Sequence, residues 1–412
     1  VMNGRNLILC FDGTTNKFGE ERITNIVRMF ELLEKNEANQ FCYYQPGIGT
    51  YDAKIPLQEQ KSTLSSKISM TSDAIFANGM RKHILGGYRF LMAHYHSNDR
   101  IYMFGFSRGA YTIRALCGML EKVGLVSYGN DEQVEFAWEM YQKGTQDLAV
   151  KFQEVFSQRV QIHFLGLWCA SPHEVLADRY LIVSRDTVKS TQKDYLEPQT
   201  DSFVSYVFHA LALHERRVNF QPHIYCRPTP SESHVHNRPP TQIFQRYFIG
   251  DHSDVGGRFP FQNLAKDALA NPSFRWIVWA AVHAAGEHQL HFNTRAFHKY
   301  HDILIYELGD HDVTYMLNSS PTEDSKGDKA LERELKSTGV KIHNVFKAPS
   351  MWRLIQLFHG KGGEGNPRTI DDDAVLHASV RRASDANNIH FWGKGPPIGS
   401  KKADETVAGS HL

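Results

Sequence analysis

Between Asn6 and Val123 the chain repeats one pattern three times: a short apolar run, a stop on turn-forming residues, then apolar side chains at helical spacing. Asn6-Leu-Ile-Leu-Cys-Phe11 stops on Asp12-Gly13-Thr14 and leads to Thr24–Glu34, where Ile26, Val27, Phe30 and Leu33 share a helical face. Gln40 to Tyr44 stops on Pro46-Gly47 and leads, after a polar loop from Tyr51 to Ser66, to an amphipathic helix from Met80 to Tyr95. Ile101-Tyr-Met-Phe104 leads to a helix from Tyr111 to Val123. Further along, Val160–Trp168 and Gln242–Ile249 read as strands, and Phe203–Leu213 and Ala265–Ala285 as helices. Strands separated by helices cannot pair as hairpins. They need right-handed crossovers, which predicts a mainly parallel sheet covered by helices on both faces.

This α/β core is expected to span residues 1–290. Residues 291–395 form a C-terminal cap or extension of the same domain, and 396–412 a flexible tail. Ser319–Lys336 and Gly360–Pro367 read as exposed, mobile connections because charge, Ser and Gly dominate them.

Composition narrows the function classes. The chain has 412 residues, 41% of them hydrophobic, and a net charge of +1, which removes the main electrostatic reason to expect nucleic acid as a partner. No apolar run approaches the roughly 18–20 residues of a membrane-spanning helix. Val1–Cys10 reads directly as a strand with no secretory signal pattern, and the five cysteines are scattered without a CxxC pair. Both features lead to the expectation of a cytoplasmic protein with reduced thiols. His234/His236, His288/His291 and Asp310-His311-Asp312 lack metal-ligand spacing and read as surface groups, so no metal or other cofactor is expected.

The segment richest in chemistry is Gly105-Phe106-Ser107-Arg108-Gly109, a GxSxG placed between an apolar strand and a good helix. A serine on such a turn is lifted above the sheet edge, and side chains at 105 and 109 would collide with the neighbouring strand and helix. The helix N-terminus offers free N–H groups to a developing oxyanion, that of Arg108 among them. A serine hydroxyl near neutral pH needs a base and an acid to orient it, and in this fold class the chain order is Ser, acid, His. His252, in Asp251-His-Ser-Asp-Val-Gly-Gly257 after a strand ending at Gly250, fits the base.

Four motifs in one order carry a family resemblance: Leu7-Ile-Leu-Cys-Phe-Asp-Gly-Thr-Thr-Asn16, Gly105–Ala110, His209-Ala-Leu-Ala-Leu-His-Glu-Arg-Arg-Val218 and His252–Gly257. Together they resemble the α/β hydrolases related to the phospholipase effectors of bacterial type VI secretion, and most of all the fungal-type members. Leu376-His-Ala-Ser-Val380 weakly resembles a closing motif. The resemblance implies an α/β-hydrolase fold and a Ser–Asp–His esterase or lipase. It carries the nucleophile onto Ser107 and the base onto His252, and sets Asp12 and Gly13, with Thr14, beside the oxyanion site. The substrate class, a lipid or phospholipid ester, comes from the resemblance alone.

One departure matters. The family's acid stands in a Gly-x-Trp-Asp-Thr-Val strand end, whereas this chain reads Gly166-Leu-Trp168-Cys169-Ala170. Removing Cys169–Arg185 restores Gly-Leu-Trp-Asp186-Thr-Val188, so an in-frame insertion of 17 residues splits the motif, a length suggestive of a short translated intron. Asp186 is the expected acid; Asp178 or Glu174 inside the insertion are alternatives. If none serves, the chain is an impaired, binding or regulatory member. A thioesterase or amidase on the same scaffold is a third reading. Arg216-Arg217 reads as structural ion pairing at a helix end, with a substrate phosphate as the other use, and His214 as a helix-surface exchange with no role. The stripe Met351, Trp352, Leu354, Ile355, Leu357, Phe358 reads as packing of the C-terminal region, with a lid or a transient membrane-surface contact as rival uses.

Overall fold

A computed structural model describes residues 4–13, 23–36, 38–47, 66–170, 202–217, 220, 222–226, 239–257, 269–285 and 290–304, with 66–78, 285 and 302 described as backbone only. Its centre is a six-stranded, wholly parallel sheet of β1 (Asn6–Phe11), β2 (Gln40–Gln45), β3 (Arg100–Phe106), β6 (Ile162–Trp168), β7 (Val204–Ala212) and β8 (Gln242–Phe248). The strand order is β2-β1-β3-β6-β7-β8. A small antiparallel pair, β4 (Leu125–Val126) and β5 (Ser157–Gln158), stands apart.

The period of two along each strand divides the core between two faces. Leu7, Leu9 and Phe11 with Ile101 and Met103 pack beneath α2 (Ser66–His94) and α3 (Arg108–Val123), with α4 (Gln133–Lys143) and α5 (Gln146–Phe156) beyond them. Ile8 and Cys10 with Tyr102, Phe104 and Phe164 pack against α1 (Asn25–Leu32), α7 (Asn271–Ala285) and α8 (Thr294–Leu304). The expected parallel α/β architecture is the one observed. Residues 290–304 pack into the second face through Leu290, Phe297, Tyr300 and Ile303, so the continuous body reaches at least residue 304. The expected cap beyond it, the apolar stripe at 351–358 and the tail lie outside the described residues.

The structure corrects one expected element. Phe203–Leu213 is not a helix: Val204–Ala212 is β7, paired in parallel with β6 on one side and β8 on the other. Its Ala-Leu-Ala composition favours a helix in isolation, but a central strand buried on both faces loses the alternation that marks a half-exposed one.

The sheet positions the site through its topology. From β1 the chain leaves toward β2, while β3 lies on β1's other side. The connections therefore diverge at β1/β3, with α1 on one face and α3 on the other, and such a switch point opens a crevice at the strands' C-terminal ends. The ladder also continues past the strand ends. Ser107 N–H donates to Trp168 O (2.9 Å), Cys169 N–H to Ala210 O (2.8 Å), and Leu213 N–H to Phe248 O (2.9 Å). These bonds set the residues after β3, β6, β7 and β8 side by side.

Candidate active site

Ser107 is the residue between β3 and α3, with φ 57° and ψ −123°. That backbone is strained for a non-glycine residue, at a cost of about 1–3 kcal/mol, and must be held by its surroundings. Close approach explains the flanking glycines. A Cβ on Gly109 would lie 2.3 Å from Phe11 O and 2.6 Å from Asp12 O, and one on Gly105 would lie 2.6 Å from Ala110 Cα. The first turn of α3 is thereby pressed onto the end of β1, and only hydrogen fits between. Ser107 is 7% exposed and makes no capping bond to its own helix. The N–H groups of the first α3 turn, beginning with that of Arg108, point along the helix axis toward the serine end and gather its positive dipole end.

Asp12, at the end of β1, is buried. Its Oδ1 accepts the N–H of Gly13 (2.7 Å), and its Oδ2 accepts the hydroxyls of Thr24 (2.9 Å) and Tyr44 (3.0 Å). The carboxylate thus ties the β1 loop to α1 and β2. It also engages the Gly13 amide, so in this conformation that group is directed at Asp12. Of the expected oxyanion residues, Arg108 follows the serine and Asp12 meets Gly109 through its main-chain oxygen, with Gly13 next to it in the chain. Thr14 lies outside the described residues.

His252 begins a short helix, α6 (His252–Gly256), immediately after β8. Asp251 caps it: its Oδ1 accepts the N–H of Ser253 (2.8 Å) and Asp254 (2.9 Å), while Asp254 Oδ2 accepts the Asp251 N–H (2.9 Å), a reciprocal capping box. His252 is 5% exposed, and its imidazole lies 4.9 Å, centroid to centroid, from the ring of Phe106, the neighbour of Ser107. Phe220 meets the same imidazole edge-on at 4.8 Å. A Cβ on Gly256 would lie 2.0 Å from the Phe106 ring, so α6 rests directly on the strand that ends in the serine.

The strand end where the family's acid is expected carries Cys169, buried and at φ 45°. Asp186, Asp178 and Glu174 lie outside the described residues. The structure instead brings forward a carboxylate that sequence reasoning passed over. Glu215, just after β7, is buried and bonds Arg217 through both oxygens, at 2.8 Å to Nε and 2.6 Å to Nη2. Its Oε2 also accepts the backbone N–H of His252 at 3.2 Å. Burial works to raise the Glu215 carboxyl, but the Arg217 charge and hydrogen bonds, with His252, outweigh it and hold it at about 2. Asp251 moves the other way, to about 8, through burial and the facing carboxylates of Asp254 and Glu215, with Arg217 opposing. The signal for Glu215 was an acid following an apolar run between Ser107 and His252, obscured by reading that run as a helix.

Two further expectations are corrected here. Arg217 does make a structural ion pair, but at a strand end. His214 is no helix-surface residue: burial lowers its pKa to about 4, and its Nδ1 accepts the Gly250 N–H at 3.0 Å. Among the described residues no cluster of three or more His, Cys, Asp or Glu could hold a metal, none of the five cysteines is in a disulfide, and no helix is long and apolar enough to cross a membrane.

Comparison with known proteins places the chain. An uncharacterised protein of Pseudomonas aeruginosa of known crystal structure is similar with a TM-score of 0.38 at 15% identity, covering 93% of this chain and 59% of that one. The Tle1 effector bound to the VgrG spike of the type VI secretion system is similar with a TM-score of 0.35 at 17% identity, covering 62% and 52%. Saccharomyces cerevisiae YEL023C, an uncharacterised protein, is 38% identical over 237 residues, which is 53% of this chain and 32% of that protein. The chain thus spans about a third of the length of that relative. The model of the catalytic domain of Tle1-like type VI secretion phospholipase effectors matches residues 5–280, and the chain belongs to that family.

Proposed function

We propose that this chain hydrolyses carboxylic esters of lipids, phospholipids first among them, with Ser107 as nucleophile and His252 as base. The observation that carries the reading is that the His252 imidazole is packed on Phe106, next to Ser107, at the edge of a sheet whose topology opens a crevice there. Family membership in a phospholipase catalytic domain supports the substrate class.

In this reading the strained turn at Ser107 is a nucleophile elbow. Ser107 Oγ attacks the ester carbonyl while His252 takes its proton. The negative oxygen of the tetrahedral intermediate is met by the first-turn amides of α3, that of Arg108 among them, beside the Gly13–Thr14 loop. Collapse expels the alcohol, which leaves with the proton from His252. A water molecule, deprotonated by His252, then attacks the acyl carbon, the acyl–Oγ bond breaks to release the fatty acid, and His252 returns the proton to Ser107 Oγ. Asp186 is the proposed orienting acid. The scheme calls on no metal or organic cofactor, and it has the enzyme working in the cytoplasm on lipid at a membrane surface.

A second reading has one observation in its favour: Cys169, a thiol, occupies the strand end of the family's acid. A thiol cannot hold an imidazolium as a carboxylate does, so the rate would fall by orders of magnitude. Release of fatty acid from phospholipid vesicles, beside a panel of short acyl esters, thioesters and amides, separates the readings. Ester turnover that disappears in Ser107→Ala is expected. Turnover of thioesters or amides only moves the substrate class, and no turnover of any acyl substrate favours the impaired member.

A further inference from the structure

We propose that Glu215 is a positioning residue for His252, and that the segment from His214 to Arg217, with Phe220, is a cradle fixing the histidine by its backbone and its ring. This rests on the reading of His252 as the base.

The backbone side is held by three hydrogen bonds from two consecutive residues. His214 N–H donates to Gly250 O (2.9 Å), His214 Nδ1 accepts the Gly250 N–H (3.0 Å), and Glu215 Oε2 accepts the His252 N–H (3.2 Å). The ring side is held through Arg217. Its guanidinium carbon stands 3.6 Å from the Phe220 ring centroid, and Phe220 meets the imidazole edge-on. Glu215 joins the two sides. Its Oε1 accepts the Arg217 backbone N–H and Nε–H, both at 2.8 Å, and its Oε2 accepts Arg217 Nη2 and the His252 amide.

A carboxylate that only stapled its own turn would be complete with Arg217. The fourth donor comes from another strand end and belongs to the histidine. The carboxylate also faces the His252 side chain electrostatically, so its negative charge favours the imidazolium that forms when the serine proton arrives. The charged and titratable groups around the pair also act on one another: Arg217 faces Glu215, Asp251 and Cys169; Asp251 on the His252 loop faces Asp254 and Glu215; and His214 is held neutral by burial. Arg217 weakens the field of Glu215 at the ring without removing the hydrogen bond that places it.

The test measures kcat, KM and the pH profile of kcat/KM on a soluble short-chain ester for the full chain, for Glu215→Gln, and for Glu215→Gln/Arg217→Met. The double variant replaces the buried pair by neutral groups, which such sites tolerate better than a lone charge. The expected result for Glu215→Gln is a kcat lower by about 10- to 100-fold at unchanged KM, with the acidic limb displaced about one pH unit downward. The double variant keeps the kcat loss with a smaller displacement, because the arginine charge leaves as well. If Glu215→Gln does not fold, the double variant decides. Wild-type kcat and limb in either folded variant overturn the proposal. Activity that survives Ser107→Ala overturns instead the hydrolase reading on which it rests.

Discussion

The serine side and the histidine side of this site are held in different ways. Ser107 is fixed by backbone sterics: Gly109 lets α3 touch the Phe11 and Asp12 carbonyls, and Gly105 lets β3 touch Ala110. Apart from β1 and the Trp168 carbonyl, which accepts the Ser107 N–H, the partners lie within five residues of Ser107. His252 is fixed by side chains from elsewhere in the chain, Glu215 on its amide and Phe220 and Phe106 on its ring, with a local capping box of Asp251 and Asp254 behind it. A sterically fixed turn tolerates almost no added atom, whereas a site held by side chains can be retuned by charge. The first kind leaves a mark in a pentapeptide. The second leaves separate marks that become meaningful only once the sheet order is known.

The largest expected effects come from emptying the histidine side. His252→Ala should lower kcat by about 10⁴-fold or more while leaving the fold intact, measured as ester turnover beside circular dichroism. If the variant keeps a tenth of the activity, another base is at work. Gly109→Ala probes the serine side. Its Cβ would meet main-chain oxygens, so backbone must shift, and a stability loss of about 3 kcal/mol or more in denaturant unfolding is expected together with lost activity. An unchanged midpoint would show that the turn is looser than its geometry.

Cys169→Asp sharpens the comparison. The position follows β6, faces Arg217 electrostatically and has a positive φ that Asp tolerates better than most residues. A carboxylate there is expected to raise kcat by about tenfold or more if the wild-type acid is poorly placed. In the same assay Asp186→Asn should lower kcat by about 10²- to 10⁴-fold if Asp186 orients the imidazole. A neutral Asp186→Asn with a strong gain from Cys169→Asp would return the acid to the strand end.

The smallest effect concerns pH. Asp251 is held protonated up to about 8, well above the unfolded carboxyl, so the folded state binds the extra proton between about pH 4 and pH 8. Stability through this group therefore falls as pH rises across that window and stays low above it. Asn keeps the helix cap and cannot ionise. Asp251→Asn should flatten that part of the thermal-stability profile and raise the melting temperature at pH 8 by a few degrees relative to wild type. Parallel profiles would mean that Asp251 is not protonated in the folded state.

How much was legible in the sequence follows the same division. The GxSxG, its strand and its helix were readable because most of what holds Ser107 is local, with β1 and the Trp168 carbonyl as the distant partners. His252 was readable because a small, polar loop closes the last strand of the sheet. The helices at 133–156 and the β4–β5 pair drew no assignment, and exposed apolar residues such as Tyr128, Phe136 and Val155 show why: their pattern does not mark a single buried face. Misreading β7 as a helix had the larger consequence. A helix would have pointed Glu215 and Arg217 to the surface, and only as a strand end do they come to lie against the loop carrying His252.

The account stands or falls on Ser107 being the atom that attacks. The direct measurement is reaction of the full chain with a fluorophosphonate, followed by intact mass and peptide mapping. The account predicts a single adduct on Ser107, formed more slowly as His252 becomes protonated at low pH, and absent in Ser107→Ala. An adduct on another residue, or ester turnover that persists in Ser107→Ala, would contradict it.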